Sequence, residues 1–156
     1  MTEGETSRFI AWSRELRAVH ERLRGALRVT RESLDDAGQV GPAARDLLLY
    51  CHGFCVALSG HHSAEDRELF PALAAEHPEL RETLRSLAQD HSMIAHLMNG
   101  LTDAIERSAS PRELAQHVEG IAAIMESHFR YEERQLLGVL EGLELDADAN
   151  AVLGSF

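Results

Sequence analysis

Two histidine–glutamate pairs with the same spacing occur in the sequence. His61 is followed four residues later by Glu65, within the stretch GHHSAEDRELFP, and His128 is followed four residues later by Glu132. Residues four apart lie one above the other on the same face of an α-helix, so each histidine would stand beside its carboxylate. Such a pair forms either a hydrogen bond on a solvated helix face or one part of a metal site.

Two further histidines, His20 and His91, lie on apolar stripes in other parts of the chain. Taken alone, a histidine on an apolar stripe is usually a hydrogen-bonded core residue. Together with the two pairs, however, they bring four imidazoles and two carboxylates to one interior. Two buried glutamates without compensation would cost of the order of several kcal/mol each, and metal ions would neutralise them. The predicted metal ligands are His20, His61, Glu65, His91, His128 and Glu132.

The predicted donor set consists only of imidazole nitrogen and carboxylate oxygen. These donors favour iron or manganese and permit zinc. Two carboxylates from facing helices can each bridge two ions, with two imidazoles on each ion. We therefore expect a pair of iron or manganese ions, with zinc possible, and coordination positions left open to water, oxygen or peroxide.

Four stretches of the chain carry the 3.6-residue period that would position these side chains. Long amphipathic helices joined by short loops are typical of a bundle. The pattern predicts an all-α protein, an antiparallel up-and-down four-helix bundle. The four stretches span about residues 7–36, 42–70, 78–107 and 111–141.

Prolines mark the boundaries of these stretches. Pro42, Pro78 and Pro111 each begin one, at a position that proline favours, and Ser110 is a suitable N-cap for the last. Pro71 is expected to break or kink the second stretch, with a short helical turn after it.

The 156 residues have the size of one domain. Residues 1–142 are predicted to form the helical-bundle domain, and residues 143–156 an acidic C-terminal tail. Because this tail is weakly patterned, we expect it to lie loosely on the surface or to be partly disordered.

The charge balance restricts the possible partners. The chain has 26 acidic and 15 basic residues, all of the latter arginine, for a net charge of −11. This excess of acid argues against nucleic acid or an anionic membrane as the main partner. The first residues, MTEGETSRFIAW, lack the layout of a signal peptide, and no apolar run reaches the roughly 20 residues that span a bilayer. A cytoplasmic protein is expected, and the sequence leaves its oligomeric state open.

The sequence resembles the hemerythrin-like proteins of the HHE cation-binding family. The resemblance is carried most specifically by HHSAEDRELFP in the second stretch, together with VHERLR, QDHSMIAHL and HFRYEERQLL in the first, third and fourth. It covers about residues 20–140. It implies a four-helix bundle around a non-haem di-iron centre. The ligands carried over by position are His20, His61, Glu65, His91, His128 and Glu132.

Two positions depart from the pattern of the oxygen-carrying members. Those proteins have a second histidine four residues after the first on the third helix, where this sequence has Ala95, and His96 lies one place further, about 100° round the helix. They also have an aspartate five residues after the last histidine, where this sequence has Glu133; we choose Glu132 for its stacking, with Glu133 as the rival. With one imidazole fewer, the ion between the third and fourth helices should be less saturated. This favours redox reactivity or sensing over pure oxygen carriage.

Other polar residues near the pairs have two readings each. His62 and Asp66 lie about 100° from the His61 line, as a hydrogen-bonded pair outside the metal shell or as a polar contact between helices. Asp90 is interpreted as a solvent-facing acid, with an acceptor role beside the metal as the alternative. Arg24 is placed on a flanking face, where it would not neutralise the glutamates.

The leading hypothesis is a di-iron hemerythrin-like protein that binds oxygen, peroxide or nitric oxide for oxygen or redox handling or for sensing. The alternative is a di-iron enzyme with peroxide-decomposing or oxidase activity at the same site. Two further alternatives are a module whose order, induced by metal, is read by a partner, and a structural bundle without metal. The expected partner is a small molecule, not nucleic acid or a membrane.

Overall fold

The computed structural model describes residues 3–36, 42–143, 145 and 149–154, and it describes the side chains within these ranges except at 3–11, 35–36, 42–51 and 150. Within these residues the protein is all-helical, without a strand, and none of the described helices is long and apolar enough to cross a membrane. The elements are α1 (Glu3–Asp36), α2 (Pro42–Ala64), a π-helical turn (Glu65–Leu69), α3 (Phe70–Glu76), a 3₁₀ turn (Pro78–Leu80), α4 (Arg81–Glu106), α5 (Pro111–Leu140) and α6 (Ala149–Leu153).

The four long helices pack in a closed ring. Helix α1 packs against α2 and α5, and α4 packs against the same two helices. This arrangement is compatible with a four-helix bundle. The apolar stripes predicted from the sequence face the interior of the ring. Their buried members include Leu16, Leu23, Leu27 and Leu34 on α1, Leu84, Leu87, Ile94, Met98 and Leu101 on α4, and Val118, Ile121 and Leu136 on α5.

Helix α5 begins as its sequence predicts. The Ser110 hydroxyl accepts a hydrogen bond from the backbone N–H of Glu113 at 3.2 Å, and Pro111 occupies the first turn. The serine satisfies one of the N–H groups that a helix start leaves without a partner, and the proline loses nothing there because it has no N–H.

Helix α2 changes its geometry before Pro71 instead of ending there. The backbone N–H of Phe70 donates to the carbonyl of Glu65, the i→i+5 bond of a π-helical turn, and Pro71 then lies in the first turn of α3. Because proline cannot donate to the preceding turn, a helix that passes through it must rearrange its hydrogen bonds. The predicted disruption at Pro71 is thus present as a wider turn over residues 65–69, and such turns are frequent at functional sites.

The C-terminal segment is docked where the structure describes it, contrary to the expectation of a loose tail. Helix α6 packs against α1, α2 and the π-helical turn. Val152 and Leu153 are buried, and the Trp12 indole N–H donates to the carbonyl of Leu145 at 3.2 Å. The physical reason is that a few apolar side chains at the end of an acidic segment suffice to cover an apolar patch left open on the helices.

The substitution Gly154→Ala is expected to weaken this docking. Gly154 has φ +87°, and a Cβ added there would lie 2.9 Å from the backbone N and Cα of His61. The left-handed conformation and the clash should together lower the free energy of unfolding by about 1–3 kcal/mol, which shifts the melting temperature by roughly 2–10 °C.

Thermal unfolding followed by circular dichroism measures this effect. The matched control is Gly120→Ala on α5, where a Cβ meets nothing within 4 Å. An alanine at 154 that melts with the wild type would show that α6 does not contribute to stability.

Candidate metal centre

The structure brings all six predicted ligand residues together in the interior of the helical ring. Each is buried, with a relative exposure of 4 % or less. They come from four elements: α1, the end of α2 with its π-helical turn, α4, and α5. The common point of the four helices is therefore polar, although it is surrounded by leucine, isoleucine and phenylalanine side chains.

Two carboxylates meet at this point without hydrogen-bond partners. Glu65 and Glu132 are fully buried, and none of their four oxygens has a partner with hydrogen-bond geometry. Burial and the facing Glu132 raise the pKa of Glu65 well above its usual range. Burial acts the same way on Glu132, but its contacts with Glu65 and the imidazoles outweigh it and hold the pKa of Glu132 well below the usual range. The two facing carboxylates thus have pKa values shifted in opposite directions.

One half of the cluster joins α1 to α2. His20 Nε2 lies 3.3 Å from Glu132 Oε1, and His61 Nε2 lies 3.1 Å from Glu65 Oε1. A ligand atom from each of His20, His61 and Glu132 falls in a group within 4.8 Å of one another. Because metal–nitrogen and metal–oxygen bonds are about 2.1 Å long, ligands of one ion lie roughly 3–4 Å apart. The separations of the ligand atoms in this half are close to those of the ligands of one metal ion.

The other half joins α4 to α5. His128 Nε2 lies 3.2 Å from Glu132 Oε2, and His91 Nε2 lies 3.5 Å from Glu65 Oε1. The two Nε2 atoms of His91 and His128 are only 3.1 Å apart. Each carboxylate therefore contacts imidazoles from both halves of the cluster, as a ligand shared by two ions would.

The outer nitrogens of His91 and His128 are held by aspartates. His91 Nδ1 donates to Asp66 at 2.9 Å, and His128 Nδ1 donates to Asp90 at 3.1 Å. A carboxylate only accepts, so the N–H of each neutral ring is at Nδ1 and its lone pair at Nε2 points inward. Two such lone pairs 3.1 Å apart repel each other unless a proton or a cation lies near them. Metal-binding histidines commonly have this carboxylate partner on their other nitrogen.

The remaining two histidines are held in the same way by other groups. His20 Nδ1 donates to Glu133 at 2.9 Å, and Arg24 contacts the same oxygen at 3.3 Å. His61 Nδ1 donates to the backbone carbonyl of Leu153 at 2.7 Å. Burial lowers the pKa of His61 to about 3. Burial also lowers the pKa of His20, but its glutamate neighbours outweigh that effect and raise it.

The structure locates the residues at the two positions where the sequence departs from the oxygen-carrying members of the family. Glu133 lies on the outer side of His20, with its side chain 21 % exposed, whereas Glu132 is inside the cluster. Ala95 and His96 are both exposed on α4, outside the group of inward-facing ligand atoms. The choice of Glu132 over its rival thus agrees with the geometry.

Three outer residues behave differently from the sequence interpretation. Of the two readings of His62 and Asp66, the hydrogen-bonded pair is absent, because both ring nitrogens of His62 are without a hydrogen-bond partner. Asp66 instead makes a polar contact between helices, by accepting a hydrogen bond from His91. Asp90 is not simply a solvent-facing acid, since it holds His128. Asp66 and Asp90 keep about 40 % exposure, so a partly solvated carboxylate still holds a buried imidazole.

The sequence left open whether His62 joins the metal shell, and the structure places it in the cluster. His62 is buried, and one of its ring nitrogens lies within 4.8 Å of nitrogens on both His91 and His128. Neighbouring positions on a helix differ by 100°, so two long side chains on either side of the inward direction can both reach the interior. The adjacent histidines of GHHSAED were the only available signal. Phe129 was not predicted to lie at the cluster, although its ring stacks on that of His20 with the centroids 3.9 Å apart.

These observations define the class of protein to which the chain belongs. A ring of helices that encloses imidazole lone pairs and unpartnered carboxylates is a helical metal-binding protein. The sequence matches the hemerythrin HHE cation binding domain over residues 13–145, and the chain belongs to that family. No curated protein and no solved structure gave a significant match.

Proposed function

We propose that the cluster holds two iron ions bridged by Glu65 and Glu132, with His20 and His61 on one ion and His91 and His128 on the other. The observation that carries this proposal is the pair of fully buried carboxylates whose four oxygens have no hydrogen-bond partner. Two cations would compensate both carboxylates and the inward nitrogens together. The nitrogen and oxygen donors favour iron over zinc and also suit manganese.

We infer that the four long helices form an antiparallel up-and-down bundle around these ions. Residues 1–142 are then the bundle domain, and residues 143–156 are an appended segment whose helix α6 packs against α2. The rigid helices hold the donors in place before metal binds, and the outer acceptors fix the rotation of each ring.

Two bound iron ions supply a redox centre with room for a small ligand. We propose that this ligand is oxygen, peroxide or nitric oxide and that the protein serves in oxygen or redox handling or in sensing. The chain contributes a water-restricted lining, which includes Phe70 beside His91 and Phe129 beside His20. The net charge of −11 supports a small molecule as partner and disfavours nucleic acid.

A di-iron enzyme with peroxide-decomposing or oxidase activity is the second candidate. A cavity of about 230 Å³ between α2 and α4 favours it, because Ser63, Asp66, His91 and Ser92 line this cavity. Hydroxyl and carboxylate groups next to a ligand histidine could admit a small polar substrate and exchange protons with it.

Metal analysis tests the leading proposal. The protein is stripped with a chelator, reloaded anaerobically with Fe²⁺, freed of excess metal, and its iron and protein contents are measured. We expect about two ions per chain and an iron-dependent absorption band after oxygen or peroxide is added. Zero or one ion would contradict the bridged site. Consumption of many equivalents of peroxide per protein would identify the enzyme, whereas a single stoichiometric uptake would identify a binding protein.

A further inference from the structure

We propose that His62 is a third imidazole ligand of the ion that His91 and His128 bind. This proposal rests on the proposed two-metal site and goes beyond its six ligands. It assigns to α2 a third imidazole donor beside His91 and His128.

The first support is the polarity of the His62 environment. His62 has a relative exposure of 4 %, and neither of its ring nitrogens has a hydrogen-bond partner. Each of the other four histidines in the cluster has a partner for its Nδ1 atom. A buried polar atom without a partner costs about 1–3 kcal/mol, so such a side chain persists only if another interaction compensates it.

The second support is the position of the ring. Its centroid lies 3.9 Å from that of His91, with the planes 11° apart, and 5.3 Å from that of His128. Nitrogens from the three rings fall within 4.8 Å of one another. In the stacked arrangement the lone pairs of His62 and His91 run parallel, so the His62 ring would have to rotate for both to reach one ion, and no hydrogen bond opposes this rotation.

The third support is the space beside the ring. His62 of α2 and Ala95 of α4 line the same cavity, together with His91. Because alanine is small, the side chain at position 95 does not compete with His62 for the space beside His91.

The sequence led us to expect fewer ligands on the ion that His91 and His128 bind. A third imidazole would give this ion more ligands than the other. The ion that His62, His91 and His128 would hold would have three nitrogen donors besides the two carboxylates. The ion that His20 and His61 would hold would have only two nitrogen donors. More positions would therefore stay open to a small ligand on the ion between α1 and α2, which lies beneath α6.

The substitution His62→Leu tests this assignment. Leucine is apolar and of similar size, and it removes two buried nitrogens that lack partners, so the metal-free variant should melt at or above the temperature of the metal-free wild type. When loaded with iron, it should retain one tightly bound ion and bind the second at least about tenfold more weakly, because loss of even an outer partner of a ligand costs that much. Ion content after dialysis and competition with a chelator gives both quantities.

His96→Ala is the matched control, because His96 is an exposed histidine on α4 and its loss should leave two ions bound. A His62→Leu protein that binds two ions as tightly as the wild type would overturn the assignment. His62→Gln provides the same comparison if the leucine variant does not fold. A wild-type protein that never binds two ions would instead overturn the two-metal site itself, so the two failures are distinguishable.

Discussion

Glu65→Ala is expected to reduce the bound iron from about two ions per chain to nearly none. Glu65 Oε1 contacts His61 of one half of the cluster at 3.1 Å and His91 of the other half at 3.5 Å. A carboxylate shared in this way serves both ions, and its loss also leaves Glu132 unable to hold two cations alone. Metal analysis after reloading and dialysis measures the effect.

Two variants make this result specific. Glu68→Ala alters an exposed carboxylate of the same π-helical turn and should keep both ions. Glu65→Gln should also lose the metal, yet its metal-free form should melt close to the metal-free wild type. The reason is that glutamine has a similar shape and is neutral, and burial and the facing Glu132 favour the neutral form of Glu65 by raising its pKa. Loss of one ion only would exclude the bridge.

Removal of metal is expected to lower the melting temperature of the wild-type protein by roughly 15–30 °C. Each ion that binds only the folded state, at about 1,000 times its Kd, adds about 4 kcal/mol. In a protein of this size about 1 kcal/mol corresponds to roughly 2–4 °C. The metal-free state also leaves the Nε2 atoms of His91 and His128 only 3.1 Å apart and the glutamate oxygens without hydrogen-bond partners.

Thermal unfolding with and without a chelator, followed by circular dichroism, gives this difference. The Glu65→Ala variant is the control, because a protein that holds no metal should melt at the same temperature in both solutions. Equal melting of the wild-type protein in the two solutions would mean that no metal contributes to folding and would support a metal-free structural bundle. A loss of helicity at room temperature would instead support coupling of metal binding to folding.

The hydrogen-bond acceptors of the four predicted ligand histidines differ in kind, and this makes His61 different from the other three. Three histidines are held by carboxylates, whereas His61 is held by the carbonyl of Leu153 on α6. A carboxylate makes a stronger, charge-assisted hydrogen bond and raises the basicity of the imidazole more than a carbonyl does. His61 should therefore be the weakest donor of the four. Its orientation depends on a segment that sequence patterning assigned to a loose tail.

Local periodicity in the sequence was enough to predict the helices and the inward-facing ligand candidates. Spacing of four residues puts Glu65 beside His61 and Glu132 beside His128 whatever the rest of the chain does. The same period places His20 and His91 on apolar stripes that must face the interior. Family membership followed from the same short motifs and is confirmed.

The tertiary structure alone decided what surrounds those residues. His91 takes its acceptor from Asp66, 25 residues away, and His61 takes its acceptor from Leu153, 92 residues away. The rotation of α2 about its axis decides whether His62 turns inward. The axial register of neighbouring helices decides which aspartate contacts which histidine. Rotation and register are set by side-chain packing between helices, which no local pattern in one helix contains.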